Sequence, residues 1–519
     1  MNMRKLLILA VAAGFMTNIT YAGGIMTNTN QSAAYIRMMA RDASLGIDAV
    51  YYNPAGLTRL GDGLHLSLNN QSVYQTRKID NSFALLNDGY YQGDVTAPLF
   101  PSIYAVYKTG RIAVSGGFMP VGGGGGAEYN RGLPSFETNF ASLPMMLSAQ
   151  GINTNAYDVD IVFEGSSIFF GGQLGVSYQL SDMVDVYGGV RYVSATNTYK
   201  GHLRNLMINP AHPLNPGGGM TGGQDFFNSI ATVTSGAAQS VQRLIDEDLG
   251  GLTLDQAVAM VPDFTEAQAA QLAGGLGDSY NDQLTIAQIQ GAYQTTSATA
   301  AATAGELADR RVDARQTGTA IAPLLGVNVS FSERFNIGIK YEFLTKLELE
   351  NDTEIDQTGM FQDGDKTRSD MPAMLSVGAA YRATQKLNVA AGMHYYFDKS
   401  ADYGKALPNK DIIDNNFIEL ALGLEYDLTD NLLVSAGYLR TQTGVNKNFH
   451  SDLSHSLSTN SIGFGGRYSI NEMMAVNLGF LRTFYEEDSI QQNFGLLGTA
   501  HEIYNRSAMV VAIGVDFKF

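Results

Sequence analysis

Cysteine and tryptophan are both absent from the 519 residues, and lysine and arginine are scarce. Without cysteine the chain forms no disulfide and no thiolate metal site, which suits an oxidising compartment. The 33 basic residues against 50 acidic ones leave a net charge of −17, which makes nucleic acid a poor partner. No internal run reaches the roughly 18 apolar residues of a membrane-spanning helix. Gly-x-Ser-x-Gly and His-Glu-x-x-His motifs are also missing, so we expect no enzyme activity, metal or cofactor.

Glycine and aromatic residues are plentiful instead, with 57 glycines, 27 tyrosines and 25 phenylalanines. The final residues, 507–519, show how they are arranged. Apolar side chains occupy every odd position from Met509 onward, and Gly514, Asp516 and Lys518 lie between them. This alternation predicts a strand with one apolar and one polar face that runs to the end of the chain. A transmembrane barrel hides its apolar face in this way, so a neutral mean hydropathy is expected of it.

The number of strands follows from the turns and loops that separate alternating runs. Six short breaks lie near residues 108–110, 181–182, 333–334, 383–385, 428–430 and 469–471. Seven longer polar segments lie near residues 75–97, 121–164, 202–315, 351–370, 399–416, 445–455 and 488–504. Six turns and seven loops require fourteen antiparallel strands. Short turns on one side and long loops on the other are typical of an outer-membrane β-barrel.

Charged residues fall on the face of each strand that can be wet. In residues 335–343 the apolar positions alternate with Asn336, Gly338, Lys340 and Glu342. A lysine facing lipid at the middle of a bilayer costs roughly 2–4 kcal/mol, so this pattern favours a barrel with a polar interior. A soluble β-sandwich or propeller is the alternative, but it would explain neither the asymmetry of turns and loops nor the export signal.

The export signal occupies residues 1–22. Arg4 and Lys5 supply the positive region, residues 6–15 the apolar core, and residues 20–22 a small-residue cleavage site. Cleavage leaves Gly23 as the first mature residue. We therefore expect a protein of the bacterial outer membrane with three parts: a signal peptide (1–22), a non-alternating segment (23–62) and the barrel (63–519).

Residues 23–62 read as a compact plug rather than as a loose periplasmic tail, because apolar and small residues are mixed with turn residues. The distinctive run contains Asp48, Tyr52, Asn53, Pro54, Ala55 and Gly56. Proline fixes one backbone dihedral and glycine permits a left-handed one, which is turn chemistry. The run resembles the N-terminal hatch of FadL-type outer-membrane transporters of long-chain fatty acids and other hydrophobic compounds. The resemblance implies a monomeric fourteen-stranded barrel plugged by this hatch.

The third predicted strand contains an irregular stretch with Gly116, Gly117, Phe118, Pro120 and Gly122. Proline removes a hydrogen-bond donor from the ladder, and glycines weaken and bend a strand. In the family that the hatch resembles, a kink in the third strand opens a lateral window through which apolar substrates leave into the membrane. We expect this stretch to form or border such a window. A flexible start to an extracellular loop is the alternative.

The extracellular loops are predicted to be partly helical and apolar. Capping boxes predict helix starts in the longest loop, 202–315, at Thr253 with Gln256, Asp263 with Glu266, and Thr285 with Gln288. A second loop carries Phe136, Phe140, Met145, Met146 and Leu147. Exposed apolar side chains need a partner, either each other or a ligand. By the resemblance, two such loops form the groove that first captures the ligand; packing among themselves is the alternative.

A carboxylate ligand would also need a cation inside the barrel. Alternation makes Arg191 and Lys340 inward candidates, with Lys200 farther along the strand of Arg191. Pairing with inward acids, Glu342, Asp185 or Glu425, is the alternative role for these cations.

The resemblance implies passive uptake of hydrophobic molecules, above all long-chain fatty acids, with the ligand and outer-membrane lipid as the partners. An uptake channel for aromatic hydrocarbons, a surface adhesin or structural barrel, and a barrel enzyme are the alternatives.

Overall fold

The computed structural model describes residues 25–519 of the chain, so the predicted signal peptide lies outside the described residues. The chain divides into two compact units. The first contains the residues up to Phe136, together with Val162–Gly201 and Arg311–Phe519. The second contains Glu137–Ile161 and His202–Arg310. None of the helices in the described part of the chain is both long and apolar enough to cross a membrane.

The strands and helices have the following bounds. The strands are β1 (Gly63–Asn81), β2 (Tyr90–Thr109), β3 (Ile112–Tyr129), β4 (Tyr157–Gln179), β5 (Val184–Ile208), β6 (Thr221–Gly222), β7 (Arg310–Ser332), β8 (Phe335–Glu342), β9 (Glu348–Asp356), β10 (Lys366–Arg368), β11 (Met374–Arg382), β12 (Leu387–Tyr396), β13 (Ile418–Asp427), β14 (Leu432–Gln442), β15 (Thr459–Ser469), β16 (Met474–Tyr485), β17 (Asp488–Asn493) and β18 (Thr499–Lys518). The helices are α1 (Ala33–Arg37), α2 (Ala49–Tyr52), α3 (Pro134–Ala141), α4 (Leu143–Ser148), α5 (Gly223–Ser240), α6 (Gln242–Asp246), α7 (Leu254–Met260), α8 (Glu266–Leu276), α9 (Ile286–Glu306) and α10 (Asn409–Ile412), and 3-10 turns occupy Pro54–Arg59, Gly277–Ser279, Asp398–Ser400, Lys447–Phe449 and Gly495–Leu497.

The strands form one closed antiparallel barrel with fourteen positions in its wall, as the count of turns and loops predicted. Three positions are each built from two consecutive strands: β8 with β9, β10 with β11, and β16 with β17. The short strand β6 pairs with the end of β5. Pairing of β18 with β1, from His65–Lys518 to Asn81–Glu502, closes the wall. Closure removes the open edge that an isolated sheet would expose.

The side chains alternate across this wall as the sequence pattern predicted. On β13, Leu420, Leu422 and Leu424 are half exposed or more, whereas Glu419 is buried. Apolar residues thus face outward and charged residues inward, which is the arrangement of a barrel that sits in lipid. Several strands are longer than the sequence indicated. For example, β5 runs to Ile208 and β9 occupies the start of the predicted loop 351–370, because ladder pairing continues into segments where polar and apolar residues no longer alternate regularly.

Residues 25–62, called the hatch below, precede the first strand and lie within the first unit. Nearly all of their side chains are buried. Helix α1 begins after Ser32, whose hydroxyl accepts a hydrogen bond from the backbone N–H of Tyr35 at 3.0 Å. Helix α2 leads into the 3-10 turn Pro54–Arg59. Proline suits the first position of this turn, because a backbone N–H at that position would have no partner within the turn.

Glycines on the inner face of the wall make room for the hatch. Gly378 lies directly opposite Gly338 on one neighbouring strand and Gly392 on the other. A Cβ added at Gly338 or Gly378 would overlap the backbone of Asp42 in the hatch. Other wall glycines on which an added Cβ would meet hatch atoms are Gly423, Gly437, Gly463, Gly465, Gly479 and Gly514. The abundance of glycine in the sequence therefore reflects, in part, the close approach of two backbones.

Helices dominate the second unit. Helices α7 and α9 begin at the predicted capping boxes, Thr253 with Gln256 and Thr285 with Gln288. The third predicted box was wrong. Helix α8 is capped by Thr265, whose hydroxyl accepts from the backbone N–H of Gln268 at 3.2 Å, rather than by Asp263. Threonine has the required extended backbone at that position.

Candidate functional site

The hatch motif is held together by its own polar side chains. Asp48 accepts hydrogen bonds from Arg41 Nε at 2.8 Å and Nη2 at 2.9 Å, and from the Ser44 hydroxyl at 2.7 Å. Burial lowers the pKa of Arg41, but the opposing charges of Asp48 and Glu425 together outweigh burial and leave this pKa raised. Tyr52 donates to the carbonyl oxygen of Thr29 at 2.8 Å. These bonds join the start, middle and end of the hatch into one folded piece.

The Asn-Pro-Ala-Gly turn fastens the hatch to the wall. Asn53 Nδ2 donates to Asn328 Oδ1 on β7 at 2.9 Å, and Ser177 on β4 donates to the carbonyl oxygen of Pro54 at 2.6 Å. The buried side chain of Ala55 packs in a small apolar cluster with wall residues. A Cβ on Gly56 would lie 2.6 Å from Asn53 Nδ2, so glycine is required for this turn to close. The motif that sequence analysis singled out is thus one of the contacts between hatch and barrel.

Buried ionic groups add further attachments that sequence analysis missed. Glu425 on β13 accepts from Arg37 at 2.8 Å and from Arg41 at 3.2 Å. A second group joins Asp42 of the hatch to His394 at 2.7 Å, and His394 in turn to Glu419 at 2.8 Å. Removing one partner from such a buried pair is strongly destabilising, because the other charge is left uncompensated. The hatch is therefore fixed by charge as well as by shape.

The inward cations Arg191 and Lys340 face one carboxylate. Arg191 Nη1 lies 2.5 Å from Glu342, and Lys340 Nζ lies 2.6 Å from the other oxygen of the same group. Both cations also lie over the ring of Tyr51, at 5.0 and 4.3 Å from its centroid. The structure thus gives these residues the internal ion pair that was the alternative to ligand binding. Their joint contact with Tyr51 makes them another attachment of the hatch.

Lys200 is far more exposed than these two cations. Its ammonium lies 3.1 Å from Asp313, and its side chain is 55% exposed. Lys200 lies nine positions after Arg191 on the same strand, and because this offset is odd, alternation puts the two side chains on opposite faces. Lys200 therefore does not join Arg191 and Lys340.

The wall is interrupted between β2 and β3. Their ladder runs from Thr109–Ile112 to Ile103–Phe118 and resumes only at Asp94–Glu128. Residues 95–102 of β2 and 119–127 of β3 are therefore not paired with each other; we call this interruption the β2–β3 gap. Among the residues predicted for the window, Gly116, Gly117 and Phe118 lie in the regular ladder, whereas Pro120 and Gly122 lie in the gap.

Two local features account for the gap. Between Pro120 and Gly126, β3 advances six residues while β4 advances four, so β3 carries two extra residues. The glycines make these bulges possible, because Gly123 and Gly125 have φ of 88° and 66°. On β2, Pro98 and Pro101 lack the N–H that a ladder would need. These two prolines were visible in the sequence and were overlooked.

The start of the hatch occupies the edge that β3 leaves unpaired. Residues 26–28 pair antiparallel with residues 121–123, and the two flanking backbone hydrogen bonds are 2.8 and 3.2 Å long. The side chain of Gln31 donates to the carbonyl oxygen of Pro120 at 2.7 Å. The first residues of the hatch thus take the place of β2 on the inner side of the gap.

A cavity of about 680 Å³ opens at the short-turn end of the barrel. Its lining combines hatch residues such as Arg41 and Leu45 with turn residues such as Asp182, Glu333 and Arg334. Its rim is strongly charged, which suits water better than an apolar ligand. Among residues 25–519, no group of three or more His, Asp or Glu side chains is placed to hold a metal ion.

The apolar loop residues fall into both units. In the first unit, the buried ring of Phe136 packs edge-on against Phe163, with 5.5 Å between the ring centroids. In the second unit, Phe140 and Leu147 are buried, Met146 is half-buried and Met145 is 43% exposed. Three of these five side chains, those of Phe136, Phe140 and Leu147, are therefore buried, and the role of the loops in ligand capture stays a prediction.

No protein-family model and no curated protein matches the sequence. Solved structures do match. The crystal structure of a Pseudomonas aeruginosa FadL homologue superposes with a TM-score of 0.57 at 12% identity, covering 97% of this chain and 100% of that one. The fold is that of the FadL family. The crystal structure of the Pseudomonas putida toluene transporter TodX shares the FadL fold with a TM-score of 0.51 at 14% identity, covering 96% of this chain and 100% of that one.

Proposed function

We propose that the protein is an outer-membrane channel for passive uptake of hydrophobic molecules, and that long-chain fatty acids are its main substrates. The FadL fold, the outward apolar face of the wall and the export signal in the sequence support this proposal. Uptake through a channel needs no chemical step by the protein.

The β2–β3 gap is the observation that carries the proposal. A plugged barrel that served water-soluble solutes would need an axial opening, and a wall gap would be of no use to it. An apolar molecule instead gains about 25 cal/mol for each Å² of surface that it moves from water into lipid. A lateral exit into the membrane therefore suits an apolar cargo.

The proposed route has three steps. The exposed apolar side chain of Met145, with Met146, makes the first contact with the ligand. The ligand then enters the barrel, and residues 26–28 leave the edge of β3. Residues 26–28 are held by hydrogen bonds alone, two between backbones and others through Asn28, whereas several buried ion pairs hold the rest of the hatch. The first residues of the hatch are thus the part that is least costly to move, and their departure opens the way to the gap.

Uptake of radiolabelled oleate by cells that lack their own fatty-acid transporter tests this route. Deleting Gly123 and Gly124 removes the two extra residues of β3 and restores one-to-one pairing with β4. Deleting Gly217 and Gly218, which are exposed in the longest loop, is the matched control. We expect uptake by the wild type and the control, and background uptake by the β3 deletion.

Equal uptake by all three proteins would refute lateral exit and leave fatty acids as the substrate. Toluene is the second probe, because a toluene transporter shares the fold. Uptake of toluene without oleate would replace the fatty-acid proposal with one for aromatic hydrocarbons. Failure to take up either compound, by protein shown to be folded in the outer membrane, would refute the channel proposal itself.

A further inference from the structure

Two arginines lie on the outward face of the barrel wall, near its extracellular end. Arg440 belongs to β14 and Arg482 to β16, and β15 lies between these strands. Alternation directs both outward, because their chain neighbours Leu439, Leu481 and Thr483 are buried inside the barrel. A charged residue that faces lipid costs free energy, and the cost becomes small only near the membrane surface. Neither arginine was singled out by sequence analysis.

Aromatic side chains place the two arginines at the surface of the bilayer. Arg482 and Tyr438 lie at one level of the wall, since both are opposite Ile462 of β15. Arg440 and Phe484 lie at the next level toward the extracellular loops. Tyrosine and other aromatic residues form girdles at the interfaces of a membrane barrel. Because the long loops of such a barrel are extracellular, this girdle meets the outer leaflet of the outer membrane.

The charge of Arg482 has no acidic partner in the described part of the chain. None of the ion pairs within residues 25–519 includes Arg482. Its direct neighbours in the ladder are the apolar residues Ile462 on one side and Met509 on the other. The guanidinium lies 5.9 Å from the centroid of the Phe484 ring, a favourable contact that leaves its positive charge uncompensated.

Arg440 is paired with an acid, but that pair is weak. Its partner is Glu486, whose side chain is half exposed at the start of the following loop. Solvent screens an ion pair of this kind, so Arg440 exchanges the carboxylate for another anion at little cost. The next acid, Glu487, instead accepts from Asn505 of β18 at 3.5 Å. Arg440, Arg482 and Glu486 together carry a net charge of +1.

A neutral donor lies beside the two arginines. Asn460 of β15 is the direct ladder partner of Arg440, and its side-chain oxygen accepts from the hydroxyl of Tyr438 at 2.6 Å. Among residues 25–519, the structure records no acceptor for the side-chain N–H groups of Asn460. Two strands and two residues separate the arginines, so their Cα atoms lie about 12 Å apart. Arg440, Asn460 and Arg482 are called the outward arginine site below.

We propose that the outward arginine site binds a phosphate group of lipopolysaccharide, the glycolipid of the outer leaflet. The phosphates of this lipid lie at the membrane surface, and its acyl chains pack against the apolar wall below them. Ile462 and Phe464, both half exposed on β15, belong to that part of the wall. Guanidinium groups bind phosphate oxygens through parallel charge-assisted hydrogen bonds, which are about twice as strong as neutral ones. The site lies on the lipid side of the wall and does not depend on the uptake function.

Binding of lipid A to the purified full chain tests the proposal. The protein is kept in a neutral detergent, and native mass spectrometry measures how much lipid each protein molecule binds. Three probes are compared: lipid A, lipid A without its phosphate groups, and phosphatidylglycerol. The first two share sugars and acyl chains and differ in charge. The third is an anionic phospholipid that carries a single phosphate diester.

The test variant is Arg440→Gln with Arg482→Gln. Arg334→Gln with Arg382→Gln is the matched control, because it removes the same charge from exposed side chains at the short-turn end. A third variant, Arg440→Lys with Arg482→Lys, keeps the charge without the planar fork of the guanidinium.

We expect the wild type and the control to bind lipid A at least tenfold more tightly than either of the other two probes. The glutamine variant should bind lipid A at least tenfold more weakly than the wild type does, and the lysine variant should recover part of this loss. Lipid A should also raise the thermal unfolding midpoint of the wild type but not that of the glutamine variant.

Equal affinity of the wild type and the folded glutamine variant for lipid A would overturn the proposal. Equal binding of lipid A and its dephosphorylated form by the wild type would overturn it too, since acyl chains alone would then explain binding. This second comparison needs no variant. Phosphatidylglycerol that binds the wild type as tightly as lipid A does would refute the assignment of the site to the glycolipid.

Discussion

Glu425 offers the sharpest test of how the hatch is held. Its carboxylate joins the barrel wall to Arg37 and Arg41, at 2.8 and 3.2 Å, and its side chain is only 12% exposed. The substitution Glu425→Gln preserves shape but removes the charge. Breaking a buried pair in this way costs about 3–5 kcal/mol. Because Glu425 retains some contact with water, we take the lower end, about 3 kcal/mol, which corresponds to roughly a hundredfold change in an opening equilibrium.

Hydrogen exchange measures that opening directly. We expect the backbone amides of α1 to exchange roughly a hundredfold faster in Glu425→Gln, while the amides of the barrel wall keep their rates. Glu486→Gln is the control. It breaks an ion pair with Arg440 in which the side chains are 52% and 31% exposed, and such pairs contribute about 0–1 kcal/mol. A change in α1 of less than about threefold in Glu425→Gln would refute the ionic attachment of the hatch.

Two further predictions concern the close packing of the hatch and the pH response of a loop. Gly338→Ala should speed hydrogen exchange in the hatch, because the new Cβ would overlap the backbone of Asp42. Gly188→Ala is the control, since its Cβ would meet no other atom, and it should leave exchange in the hatch unchanged. Equal effects of the two substitutions would show that the wall glycines do not make room for the hatch. Burial raises the pKa of Asp398, in the loop between β12 and β13, to about 6. The folded state therefore binds the proton of Asp398 more tightly than the unfolded state does. The protonated carboxyl group stabilises the folded loop fully below about pH 4, and this stabilisation is lost as pH rises through 6. Hydrogen exchange in residues 398–417, corrected for the intrinsic exchange rate at each pH, should therefore become faster between pH 5 and 7. Asp398→Asn should abolish this change. An identical pH response in the variant would contradict the role of the Asp398 proton.

The barrel could be predicted from sequence because alternation is a local property. In each strand the apolar positions indicate which face meets lipid. In the final strand, apolar residues occupy every second position from Met509 to Phe519. The number of turns and loops then gives the number of strands. The outer ends of strands were underestimated, because paired extensions such as the end of β5 mix polar and apolar residues on both faces and lose the alternation.

The contacts of the hatch could not be predicted in the same way. They depend on which wall residue reaches which hatch residue, and those partners lie hundreds of positions apart, as with Arg37 and Glu425. Alternation correctly placed Arg191 and Lys340 inside the barrel. It could not show that they share Glu342, since that requires knowing the register of non-adjacent strands.

The β2–β3 gap lies between these extremes. Pro120 and the glycines that follow it indicated an irregular strand, but the interruption begins at Met119, after Gly116, Gly117 and Phe118 have paired normally. Its position is set by the two extra residues of β3 and by the prolines of β2 together. The position of the gap therefore becomes visible only when the pairing of β3 with both β2 and β4 is known.

Photocrosslinking tests the proposed lateral exit through the β2–β3 gap most directly. A photoactivatable analogue of oleate is added to the protein in lipid nanodiscs, and the labelled peptides are identified by mass spectrometry. We predict label on residues 95–102 and 119–127, which border the gap. Label confined to the lining of the cavity at the short-turn end, such as Phe335 and Ala380, would show axial passage and contradict the account.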